Sequence, residues 1–225
     1  MSMKYIKKCL REGLETSNIW YHGTPDVREL EKEGGFSDRE TSIQYIKNLN
    51  DYNTLQKNME ISFKNGDDDA YHKYLDMVPK TYGYFKMRKP IFITNVSSVA
   101  RTYANDKRAM DYQNAVGKLL KVKVTSNKGV KIMAIGDRFR FIDTNKVKRG
   151  FISAGISEDD FDVALKSFNF SRKQGGIKTD MVAAIGEWFG FDFIDVVGVL
   201  DSYEGGSTKS TVRMVFNPKD LKIIT

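Results

Sequence analysis

The chain reads as an α+β fold in one domain, residues 1–225, and three observations lead there. Strand-like and helix-like stretches alternate at uneven spacing, no internal repeat is visible, and 40% hydrophobic against 29% charged residues is enough for one substantial core. Residues 4–15 place Tyr5, Ile6, Cys9, Leu10 and Leu14 at helical spacing and lead into a strand from Ile19 to Tyr21. From Asp38 to about residue 80 the sequence is polar and helical, with Ile43, Tyr45 and Ile46, then Leu55 and Met59, then Tyr71, Tyr74 and Leu75 between Asn/Asp clusters. That segment is expected to be a helical insertion between sheet elements.

Pro90 to Thr94 reads as a strand entering a helix over Val96 to Ala104. Leu119 to Val124 and Val130 to Ile135, separated by Thr125 to Gly129, predict a β-hairpin, and Phe139 to Ile142 a further strand. Helices follow at Ser157 to Phe168, with Asp159 and Asp160 in the first turn, and at Thr179 to Phe189, with Met181, Ile185 and Trp188 on one face. Phe193 to Leu200 and Thr211 to Phe216 are strands that close a hairpin, and Asn217-Pro218 separates them from a last strand, Leu221 to Ile224.

Composition excludes several classes. No apolar run approaches the roughly 20 residues of a membrane-spanning helix, and the N-terminal stretch mixes Lys4, Lys7, Lys8 and Arg11 with acids, so a soluble protein without a cleaved signal is expected. The lone Cys9 sits at an apolar helical position, and with His22 and His72 it cannot supply a Cys/His zinc cage, so no metal is expected. Asp67, Asp68 and Asp69 lack the ligand spacing of a calcium loop and read as a helix-capping turn. Gly23, Gly34 and Gly35 form neither a GxGxxG nor a Walker sequence. The formal charge of +7, from 36 basic and 29 acidic residues, favours acidic ligands. Nucleic acid is less favoured, since Lys121 and Lys123 stand at strand alternation with no aromatic platform around them.

The chemistry concentrates in Tyr21-His22-Gly23-Thr24 and in the strand-to-helix corner after Pro90. An imidazole followed by a bare backbone N–H and C=O is what a flat amide ring and its ribose need, which suggests a nicotinamide site. A strand-end histidine satisfied by a backbone carbonyl and a Tyr103 packed in the core are the structural alternatives. Trp20-Tyr21-His22-Gly23-Thr24 with Gly35-Phe36 resembles the first motif of the ADP-ribosyltransferase superfamily, in the histidine-containing branch related to diphtheria toxin and the poly(ADP-ribose) polymerases. Ile91-Phe92-Ile93-Thr94 with Ser97, Ser98, Ala100 and Tyr103 is similar to that branch's second motif. Phe193 to Gly206 and Val212 to Ile224 further resemble ADP-ribosyltransferase modules of bacteriophage polyvalent proteins.

The resemblance implies a split β-sheet core with flanking helices and NAD as the substrate. It implies that His22 donates to a ribose hydroxyl, that Gly23 grips the carboxamide, that Thr24 contacts the adenosine side, and that Phe92 and Tyr103 sandwich the nicotinamide. The family's glutamate would fall at Thr211 or Val212, neither of which is charged, so Glu204, with Asp201 as the other acid nearby, is the substitute. His22, Tyr103 and Glu204 are then the expected catalytic set. The activity implied is mono-ADP-ribosylation of an acidic or mixed-surface protein by a phage or mobile-element enzyme, acting in the host cytoplasm or carried in the virion. A silent binding or virion module of the same fold, and a nucleic-acid-directed transferase, are the alternatives.

Overall fold

The structure is a computed structural model and describes residues 19–25, 27–33, 35–105, 117–168, 176–200 and 208–224. The expected helix over residues 4–15, with Cys9, lies outside them, as do Asp201, Tyr203 and Glu204. The fold mixes helices with a mostly antiparallel sheet, as the α+β reading requires. No helix among the described residues is long and apolar enough to cross a membrane.

Strand β1 (Ile19–Thr24) is followed by a short helix α1 (Arg28–Glu33) and strand β2 (Glu40–Ile46). Helices α2 (Leu49–Asn65) and α3 (Asp68–Met77) then form a hairpin, and β3 (Tyr82–Arg88) returns to pair with β2 through seven register partners. The helical insertion is thus mounted on a two-stranded ribbon. Ile43, Tyr45 and Ile46, expected in a helix, lie in β2: Ile43 and Tyr45 face inward against Phe85, Phe168 and Trp188, while Ser42 and Gln44 face water. A period of two satisfies that burial and a helical period does not. The helix junction follows the reading of the acidic turn: Gly66 ends α2 in the left-handed region (φ 69°), and the Asp67 carboxylate accepts from the Ala70 N–H to start α3.

After β4 (Ile91–Thr94) and α4 (Ser97–Ala104) come β5 (Lys118–Val124), β6 (Gly129–Met133), β7 (Phe141–Asp143), α5 (Thr144–Ser153) and α6 (Glu158–Phe168). The chain ends with β8 (Gly176–Lys178), α7 (Thr179–Trp188), β9 (Phe193–Leu200), β10 (Lys209–Val215) and β11 (Leu221–Ile224). The main sheet has the order β11-β5-β1-β4-β10-β9-β6, and β7 pairs with β8 separately. The expected β5–β6 hairpin does not form. β5 pairs with β1 and β11, whereas β6 runs parallel to β9 at the opposite edge. Residues 125–128 make no turn because their polar groups are taken by other segments: Thr125 N–H donates to the Asp220 carbonyl, and Lys128 and Asp192 exchange bonds.

The sheet carries a seam. β1 follows β5 over six register pairs but meets β4 at only one, Tyr21 with Thr94, and β4 follows β10 over four. The seam is an opening inside one seven-stranded ladder. Arg213 braces the seam from one face: its guanidinium lies 4.3 Å from the Trp20 ring centroid and 3.9 Å from that of Phe193, with two bonds of 2.6 and 2.7 Å to Asp195. The larger core cluster packs α5, α6 and α7 against β6, β9 and β10, and a smaller one gathers Ile93, Leu120, Val122, Phe193, Val215 and Leu221.

Candidate functional site

Past Tyr21 the two strands at the seam diverge, and the opening is a cavity of about 820 Å³. His22, Gly23, Thr24, Phe92 and Tyr103 all line it, so five of the six residues singled out from the sequence share one cleft. Glu204, the sixth, lies outside the described residues. β1 supplies the first three, β4 supplies Phe92, and the α4 face carrying Val99, Ala100 and Tyr103 closes one side.

The His22 imidazole reaches across the seam, and its Nδ1 lies 2.9 Å from the Phe92 carbonyl oxygen. A carbonyl only accepts, so Nδ1 carries the proton. The bond replaces a ladder bond that the diverging strands leave unmade. Burial holds the imidazole below its ordinary value of about 6.5, the carbonyl bond opposing only in part, so the ring is neutral at pH 7. Nε2 then offers a lone pair. In this tautomer Nε2 can accept a hydrogen bond but not donate one. The strand-end histidine satisfied by a backbone carbonyl is thus what Nδ1 shows, and Nε2 is the ring's other nitrogen. The Phe36 ring stands edge-on at 5.0 Å and fixes the imidazole plane.

The sign of the pH dependence follows from the lowered value. The unfolded chain takes up a proton at His22 before the folded chain does, so its contribution to stability is full above about pH 6.5 and is lost as pH falls through the folded value. Urea midpoints measured between pH 7.5 and pH 5 should fall for the wild type and fall less for His22→Gln.

Gly23 sits where α4 crosses β1. A Cβ there would lie 1.8 Å from the Ala100 carbonyl oxygen and 2.8 Å from the Ala104 nitrogen, so only glycine permits the contact that sets the cleft width. Thr24 is buried at the cleft floor. Phe92 is half-buried and meets Phe139 edge-on at 5.5 Å. Phe92 and Tyr103 line the same space from a strand and a helix.

Val212 lines the cavity too, buried between Thr94 and Val196 in the ladder. Its neighbour Thr211 stands at a register shift made by Gly198, whose φ of 76° places an extra residue in β9. The Thr211 backbone is tied to Asn95: Thr211 N–H donates to the Asn95 side chain at 2.8 Å, and Asn95 N–H donates to the Thr211 carbonyl at 3.2 Å. No described residue lining the cavity is a carboxylate.

Sequence reasoning missed the cations. Arg28, Arg39 and Lys89 line the cavity together with His22. Arg39 and Lys89 are brought side by side by a backbone bond of 2.6 Å at the root of the β2–β3 ribbon. They stand far apart in the sequence, so no spacing signal links them. The helices of the insertion do not reach the cavity; its contribution is Arg39 at the ribbon root. The result is an apolar cleft with aromatic walls, one neutral acceptor nitrogen and a group of cations, suited to a flat aromatic ring joined to phosphates. Comparison of the chain with protein-family models, with curated proteins and with solved structures gave no match.

Proposed function

We propose that the cleft binds NAD and that the chain is an NAD-dependent mono-ADP-ribosyltransferase acting on a protein. The observation that carries this reading is the meeting of His22, Gly23, Phe92 and Tyr103 around one cavity at the seam of the sheet. The seam fits the split core of the family that the motifs resemble. In the proposed complex the nicotinamide lies between Phe92 and Tyr103, the Nε2 of His22 accepts from a ribose hydroxyl, and Arg28, Arg39 and Lys89 face the diphosphate.

The reaction follows from holding the ring this way. The C1′–N bond of the nicotinamide ribose breaks, and its electron pair returns to the ring nitrogen, so nicotinamide leaves neutral. A nucleophilic oxygen or nitrogen of the acceptor bonds to C1′ and gives its proton to solvent or to a carboxylate. Glu204, expected from the sequence, is the candidate for that carboxylate and for stabilising the oxocarbenium-like transition state. Val212 at the family's acid position favours a second reading, a module that binds NAD without transfer.

Incubating the full chain with NAD labelled on the adenylate phosphate and with cell lysate tests the proposal. A labelled protein band that depends on the chain supports transfer. Saturable NAD binding without any labelled band selects the binding module, and no NAD binding by folded protein at millimolar concentration refutes both.

A further inference from the structure

The face of the β11-β5-β1 ladder beside α4 carries a cluster of exposed lysines. Lys222 stands directly across from Lys123, which stands across from Ile19, and Ile224, Lys121 and Tyr21 make the next row. Register partners share a face, as do residues two apart on a strand, so Lys121, Lys123 and Lys222 project from one side. All three are exposed. Lys118 is near Glu31 at 3.8 Å, but among the described residues none forms an ion pair with Lys121, Lys123 or Lys222. Like charges directly opposite one another destabilise a sheet, so the Lys123–Lys222 pair costs the isolated fold stability that an anionic partner returns.

The strip adjoins the cavity: Lys121 stands across from Tyr21, which lines it. We infer that this strip docks an extended acidic segment of the acceptor protein, one in which Asp or Glu alternates with apolar residues; the inference rests on the protein-directed transferase reading. An extended chain repeats every two residues at about 6.6 to 6.8 Å, the spacing between Lys121 and Lys123 on their own strand. The apolar members of the rows, Ile19 and Ile224, give the alternate side chains an aliphatic surface. Nucleic acid fits less well. Single strands bind sheets through stacked aromatic rings, and the strip's aromatic residue, Tyr21, belongs to the cavity.

The test uses the full chain and three fluorescein-labelled probes: a peptide alternating Glu and Val, the same peptide with Gln for Glu, and an oligothymidylate. Anisotropy should show saturable binding of the Glu peptide, much weaker binding of the Gln peptide, and about a tenfold or greater loss in a Lys121→Glu, Lys123→Glu, Lys222→Glu variant. NAD affinity of that variant, measured in parallel, should equal that of the wild type. No binding of the Glu peptide, equal binding of the Gln peptide, no effect of charge reversal, or tighter binding of the oligothymidylate overturns the docking strip. Absence of NAD binding by wild-type chain that still selects the Glu peptide overturns the cleft reading and leaves the strip standing.

Discussion

Gly23→Ala is expected to cost about 3 kcal/mol of stability or more, the upper range for forcing an atom into a packed site. The added carbon would fall 1.8 Å from the Ala100 carbonyl oxygen, and both this atom and the Ala104 nitrogen belong to the backbone of α4, which cannot turn aside as a side chain can. The helix must move off β1. Because the same helix carries Tyr103 into the cleft, NAD binding should be lost along with stability. Denaturant unfolding of Gly23→Ala against the wild type measures the first effect. An unchanged midpoint would mean that α4 does not lie against β1.

His22→Ala should weaken NAD by at least about tenfold while leaving the fold intact at neutral pH. The substitution removes the Nε2 acceptor and the ring that bridges the seam to the Phe92 carbonyl. One hydrogen bond to a neutral partner is worth about 1 kcal/mol, and the lost ring contact brings the sum past the 1.4 kcal/mol that a factor of ten requires. His22→Gln separates the two roles. Its amide N–H can still donate to the Phe92 carbonyl, so stability should be restored more fully than affinity. Calorimetric titration of both variants with NAD checks this, and equal affinity for wild type and His22→Ala would remove His22 from the site.

The elements read correctly in the sequence are those whose burial is set by local pattern. Phe193–Leu200 is a mostly apolar, largely buried run, and Leu221–Ile224 is set off by Asn217-Pro218 with Leu221 buried; both have the bounds expected of them. Thr179–Trp188 is a helix as expected, but its burial is wider than the face read from Met181, Ile185 and Trp188: Val182, Ala183, Ala184, Ile185 and Gly186 are all buried, and Trp188 is exposed. The errors arose where pairing is non-local. Asn127-Lys128-Gly129 has turn chemistry, yet β5 and β6 find partners in β1 and β9 on opposite halves of the sheet, and only those long-range pairings decide against a hairpin. Ile43, Tyr45 and Ile46 were read as helical, but Ile43 and Tyr45 alternate with exposed Ser42 and Gln44, and Phe168 and Trp188, distant in the chain, pack on that strand face.

The candidate site divides in the same way. His22, Gly23, Thr24, Phe92 and Tyr103 were legible because each lies within a short motif. The tautomer of His22 was not, since it is set by a carbonyl on another strand. Nor were Arg28, Arg39 and Lys89, which are joined only by the fold.

The central claim is that NAD lies in the seam between β1 and β4. Crystallographic density from the full chain grown with millimolar NAD tests it most directly. The account predicts a nicotinamide ring between Phe92 and Tyr103, with a ribose hydroxyl in hydrogen-bond reach of His22 Nε2 and the diphosphate toward Arg28, Arg39 and Lys89. A seam filled by side chains, or NAD bound on another face of the molecule, would contradict it.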